Sequence, residues 1–156
     1  MNLYLHELIH LTLSLIVGLI IWKISSNVYV IPAALMGGFF IDLDHVIDYF
    51  FAFGSKIDLH YFLKGRQFLK TDKIYVIFHS WELVILLFLG AFVLSQSLIF
   101  SFSLSLFLHL IVDVFTNNMK LQSYFLLYRI NNNFELKTMV TNDHYQKHLK
   151  QKKQLV

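Results

Sequence analysis

Cysteine is absent from this chain of 156 residues. That excludes disulfides and thiolate metal sites, and it leaves the redox compartment undetermined. Proline occurs once and glycine six times, too few for a low-complexity chain. Charge is also scarce. Asp, Glu, Lys and Arg make up 15% of residues, against about 25% in an ordinary soluble domain. No internal repeat or linker is visible, and no Lys or Arg precedes the first apolar run, which argues against a cleaved secretory signal.

Apolar residues are what the chain has instead. They make up 56% of it, and the mean hydropathy is +0.57. Four segments, 3–22, 28–53, 74–94 and 98–116, reach the roughly 20 residues that a helix needs to cross a bilayer. Four such runs in so short a chain leave almost no polar face, so a buried soluble core is the weaker reading. The fold class expected is an all-α, polytopic membrane bundle of about four transmembrane helices. A C-terminal interfacial segment follows, with the division at 1–120 and 121–156. The aromatic stretch LQSYFLLYRI (121–130) reads as interfacial.

Basic residues orient the bundle. Lys56, Lys64, Arg66, Lys70 and Lys73 follow the second segment, and Lys120, Arg129, Lys137, Lys147, Lys150, Lys152 and Lys153 follow the fourth. The other connections hold only Lys23. Both termini and the 54–73 loop are therefore expected on the cytoplasmic side of the inner (plasma) membrane. The net charge of +3 then reports topology, with the basic tail beside anionic lipid and no nucleic-acid partner.

The acids are in the wrong place for such a chain. Six of ten lie inside apolar segments: Glu7, Asp42, Asp44, Asp48, Glu82 and Asp113. So do five of eight histidines: His6, His10, His45, His79 and His109. Carboxylates at membrane depth need a positive partner, and Lys and Arg are elsewhere. A divalent cation neutralises carboxylates and takes neutral imidazole as a ligand. Spacing agrees. His6 and His10 are four apart, as are Asp44 and Asp48, and His109 and Asp113. Asp42 and His45 are three apart, as are His79 and Glu82. Such pairs share a helix face, and bundles build metal sites from them. The positive-inside orientation puts all of these groups at one membrane face.

Other readings stand beside this one. His6 alone also reads as an inter-helix hydrogen-bonding group. His60, His144 and His148 read as surface residues. Asp48 also reads as an orienting carboxylate for a ligating histidine. HELIH (6–10) matches H-E-x-x-H, with two histidines on one face and Glu7 as general base of a zinc protease. That reading leaves the other buried acids and histidines unexplained.

The order N-terminal His10 (or His6), DLDH at 42–45, FHS at 78–80 and HLIVD at 109–113 resembles the YdjM-like membrane-bound metal-dependent hydrolases over about residues 6–117. Ile41 stands where that pattern carries Pro, and the upstream His-Arg pair and the Thr of its third motif are missing. The resemblance implies a small inner-membrane protein with a metal site and hydrolytic chemistry. The ligand set expected is His10, Asp42, Asp44, His79, His109 and Asp113, with His45 next. Asp48 or Glu82 is the expected general base. Zinc is the first choice of ion, with manganese or iron as alternatives. The expected substrate is a phosphoester or ester of a lipid or of a membrane-associated molecule. A metal or proton transporter and a metal-stapled structural protein are the competing classes.

Overall fold

A computed structural model describes residues 3–55, 62 and 66–153. His60, Lys56 and Lys64 lie outside the described residues. Those that are described form nine α-helices and two 3₁₀ turns. The all-α expectation holds. The helices are α1 (Leu3–Ser25), α2 (Val30–Gly38), α3 (Asp44–Phe53), α4 (Arg66–Thr71), α5 (Trp81–Leu94), α6 (Ser97–Thr116), α7 (Leu126–Asn131), α8 (Leu136–Met139) and α9 (Asn142–Lys153). The 3₁₀ turns are Phe40–Leu43 and Leu121–Tyr124.

Of the four spans expected, length and composition support two or three among the described residues. α1 from Tyr4 and α6 are long and apolar enough to cross a membrane, and a third crossing exists if α2 and the helix beyond its break count as one. Segment 74–94 does not qualify as one helix. Its first seven residues are not helical, and α5 has 14 residues. At about 1.5 Å per residue that is roughly 21 Å, short of the roughly 30 Å hydrocarbon core. Segment 28–53 is interrupted at Phe39.

The chain divides into two compact units, residues 1–41 with 79–117, and residues 42–78 with 118–156. The first unit contains α1, α2, α5 and α6. Small residues let its helices approach. Ser14 and Gly18, Ala34 and Gly38, and Ser101 and Ser105 each stand four apart, and all six are buried. A Cβ on Gly37 would meet the Phe102 carbonyl, and one on Gly38 would meet the hydroxyls of Ser14 and Ser105. Small-xxx-small seams of this kind are how helices associate where lipid removes the hydrophobic drive. Val17, Ile21, Val30 and Ala34 fill the seam, packed by Phe100, Leu104 and Leu108. Two of the buried hydroxyls find carbonyls: Ser101 Oγ donates to Val30 O at 2.8 Å, and Ser103 Oγ donates to Ile99 O at 2.6 Å. The outer faces are apolar, with Ile16, Leu19, Ile20, Ile85, Leu86, Leu89, Phe92 and Val93 exposed. Such a face suits contact with lipid.

The second unit contains α3, α4 and α7 to α9. Its core is Ile74, Val76, Leu136, Met139 and Val140, flanked by Phe68, Met119, Phe134 and Tyr145. Two isolated antiparallel bridges, Lys73 to Glu135 and Met119 to Val140, tie its segments. Arg129, counted above among the basic residues of the tail, is fully buried and donates from Nη1 to the carbonyls of Tyr75 and Val76. His148 is also buried, contrary to the surface expectation, with Nε2 2.8 Å from Asp72 Oδ1. Asp72 receives Lys152 as well. His144 is exposed, as expected.

Candidate metal centre

Within the first unit, four histidines surround one carboxylate. His6 and His10 stand one turn apart on α1, and their Nε2 atoms are 3.3 Å apart. Asp113 Oδ1, one turn before the end of α6, is 3.1 Å from His6 Nε2 and 3.4 Å from His10 Nε2. His109 lies one turn earlier on α6, with Nε2 3.6 Å from Asp113 Oδ2. His79 comes from the segment ahead of α5. Its Nε2 is 3.1 Å from His109 Nε2 and 4.0 Å from Asp113 Oδ2. His10, His79, His109 and Asp113 are all at most 3% exposed. His6 is less buried, and its Nε2 is 3.0 Å from Thr116 Oγ1.

Local structure explains each placement. Ser80 caps α5, its hydroxyl accepting from the Leu83 amide at 3.3 Å, so the helix begins at Trp81 and His79 precedes it. The helical spacing expected for His79 and Glu82 therefore does not apply. Glu82 sits in the first turn of α5, the acidic position that suits a helix start. Ser14 Oγ donates to the His10 carbonyl at 2.6 Å and so satisfies its own polar atom on the helix that carries the histidines. His109 Nδ1 is 2.8 Å from the Gly38 carbonyl. A carbonyl only accepts, so Nδ1 carries the hydrogen and Nε2 presents its lone pair to the cluster. This is the second-shell arrangement that readies a histidine to bind metal.

The donor set fits a cation. The first unit contains one Lys or Arg, Lys23, at the far end of α1 from His6. A ring of imidazole lone pairs facing a buried carboxylate is unstable unless protons or a metal fill it. Two nitrogens each about 2.0–2.1 Å from a tetrahedral zinc would stand about 3.3 Å apart. The Nε2 pairs, at 3.3 and 3.1 Å, match that spacing. Among the described residues of this unit, the donor atoms form two sets of three, each within 4.8 Å: His6, His10 and Asp113; and His79, His109 and Asp113.

Of the remaining expected residues, Asp42, Asp44, His45 and Asp48 belong to the second unit and Glu82 to the first. Asp44 Oδ2 accepts from the Phe78 amide at 3.0 Å, and Asp48 Oδ1 accepts from the Tyr75 amide at 2.8 Å. Together with Arg129 they hydrogen-bond the backbone of residues 75–78. Asp42 and His45 form their own contact, 3.7 Å between Oδ1 and Nε2, with both side chains partly exposed. Glu82 belongs to neither donor set. Reading the sequence left His6 an open alternative to His10, yet both enter the cluster. Their shared helix face was the signal for that. The Gly38 carbonyl carries no sequence signal, and Ser80, noted only within FHS, caps α5, although a serine ahead of an acidic first turn is a helix-start signal.

No family model, no curated protein and no solved structure matches this chain.

Proposed function

We propose that this chain is a metal-dependent hydrolase of the membrane, acting on a phosphoester or ester of a lipid or of a membrane-associated substrate. The carrying observation is the convergence of His6, His10, His79 and His109 on Asp113 in a helical unit whose one cation is Lys23. When bound there, a divalent ion, zinc by first choice, lowers the pKa of a water and polarises the bond under attack. The chain's own groups hold and orient it. Asp113 supplies the charge and His109, locked by Gly38, supplies a fixed lone pair. Glu7 and Glu82 are the two other acids of this unit, and Asp48 is the third candidate base. The ordered motifs shared with the YdjM-like pattern support the same reading. A transport path is less favoured, because the donors gather at one end of α1 and α6. Transport needs polar groups on both sides of the midplane.

One observation favours a second reading. H-E-x-x-H needs a third ligand, and Asp113 Oδ1 meets both His6 and His10. A zinc protease would then use Glu7 as base and have no need of His79.

Elemental analysis of detergent-purified protein, beside His10→Ala and His109→Ala, tests the hydrolase reading, with phosphoester, ester and peptide substrates assayed on the same samples. Metal and hydrolysis lost together in both variants support it. Peptide cleavage that survives His109→Ala selects the protease. No metal in folded wild type after reconstitution sinks both.

A further inference from the structure

We propose that the cluster holds two divalent ions bridged by Asp113, and that the pair is built to receive an oxyanion such as a phosphoryl group. This rests on the metal centre proposed above and deepens it.

The distances sort the donors by carboxylate oxygen. His6 and His10 approach Oδ1, at 3.1 and 3.4 Å. His79 and His109 approach Oδ2, at 4.0 and 3.6 Å. Each histidine pair is closed on itself at 3.3 and 3.1 Å. The two sets of three have Asp113 in common. A carboxylate that offers one oxygen to each of two ligand sets is a bridge. The rings of His10 and His109, one from each set, stack at 3.8 Å between centroids with planes 26° apart, which holds the sets side by side.

Each set consists of two histidines and one carboxylate oxygen. Three protein ligands is the number that catalytic sites carry, with further positions left for water or substrate. Charge then selects the ligand. Two dications exceed the single charge that Asp113 brings to these two sets, and all four imidazoles are neutral as ligands. At membrane depth this excess calls for an anion. Two-metal sites about 3.5–4 Å apart clamp the oxygens of a phosphoryl group in just this manner.

The test counts Mn²⁺ per chain in detergent-purified protein loaded with manganese chloride and freed of excess. Wild type should hold two ions and show the spin-coupled spectrum of a manganese pair. The double variants His6→Ala/His10→Ala and His79→Ala/His109→Ala should each keep one ion and an uncoupled spectrum. Inorganic phosphate should perturb the coupled spectrum of wild type. If vesicles containing phosphatidic acid perturb it at a lower phosphate concentration, the source is a lipid headgroup; an equal response points to free phosphate. One ion per chain in wild type, abolished by either double variant, overturns the pair and leaves the hydrolase reading intact. A coupled pair indifferent to phosphate overturns the oxyanion. No bound manganese in folded wild type overturns the centre itself, and helical circular dichroism of every variant separates that result from misfolding.

Discussion

Asp113 is the residue on which the cluster turns. Asp113→Asn keeps the shape of the side chain and removes its charge. The variant should lose bound metal while keeping its helical content, read by elemental analysis and circular dichroism on one sample. Metal retained at the wild-type level would mean that the histidines alone hold the ion. A different carboxylate, Asp72, carries a pH prediction. Partial burial pushes its pKa up, but hydrogen bonds from Lys152 and His148 outweigh this and hold it below the ordinary value. A carboxyl with a depressed folded-state pKa adds stability above its unfolded value of about 3.9. That contribution is lost as pH falls through the lower folded value. Hydrogen-exchange protection of α9 should therefore decline at acid pH below about 4. In Asp72→Asn, protection should be low already at neutral pH. An α9 equally protected in both proteins would show that Asp72 does not tether it.

At the scale of the element, the small-residue seams decide stability. A methyl on Gly38 meets two hydroxyls and one on Gly37 meets backbone, whereas a Cβ on Gly90 in α5 has nothing within 4 Å. Gly37→Ala should cost about 1–3 kcal/mol as overpacking against atoms that cannot swing away. Gly90→Ala should be neutral or raise stability by up to about 1 kcal/mol, since a helical glycine gives way to a better helix former. Thermal unfolding in detergent measures both, and equal effects would refute the seam. Elements were also where the sequence was most and least legible. Period gave the pairs on α1 and α6, because both helices run unbroken through their histidines. Period misplaced His79, because a polar cap, not hydropathy, sets where α5 starts. In a linear reading Asp44 is a candidate ligand and Asp48 a candidate base or orienting carboxylate. Their hydrogen bonds to the Tyr75 and Phe78 amides span 27 and 34 residues, a pairing that composition does not encode.

For the whole molecule, the apolar outer faces of α1, α5 and α6 indicate association with a membrane, as hydropathy alone had indicated. The second unit was hidden from hydropathy, because Arg129 and His148 look like surface residues until the backbone groups and the carboxylate that they meet are known. The basic-residue pattern predicts that the connection between α5 and α6 faces outward and the end of α6 inward. The chain's natural lack of cysteine makes this directly measurable. Gln96 and Asn117, both exposed, can each be replaced by cysteine in turn. A membrane-impermeant maleimide should label Gln96→Cys in intact cells, and Asn117→Cys only after permeabilisation. The reverse pattern would invert the orientation.

The shortness of α5 has a consequence for the lipid around it. If α5 crosses the bilayer, a helix of roughly 21 Å in a hydrocarbon layer of about 30 Å is hydrophobically mismatched, and a bilayer answers mismatch by thinning locally. α5 starts at Trp81, two residues after His79, with Ser80 as its cap. Thinning there would draw headgroups down toward the donor end of the bundle. A phospholipid could then present its polar end to the cluster without leaving its leaflet.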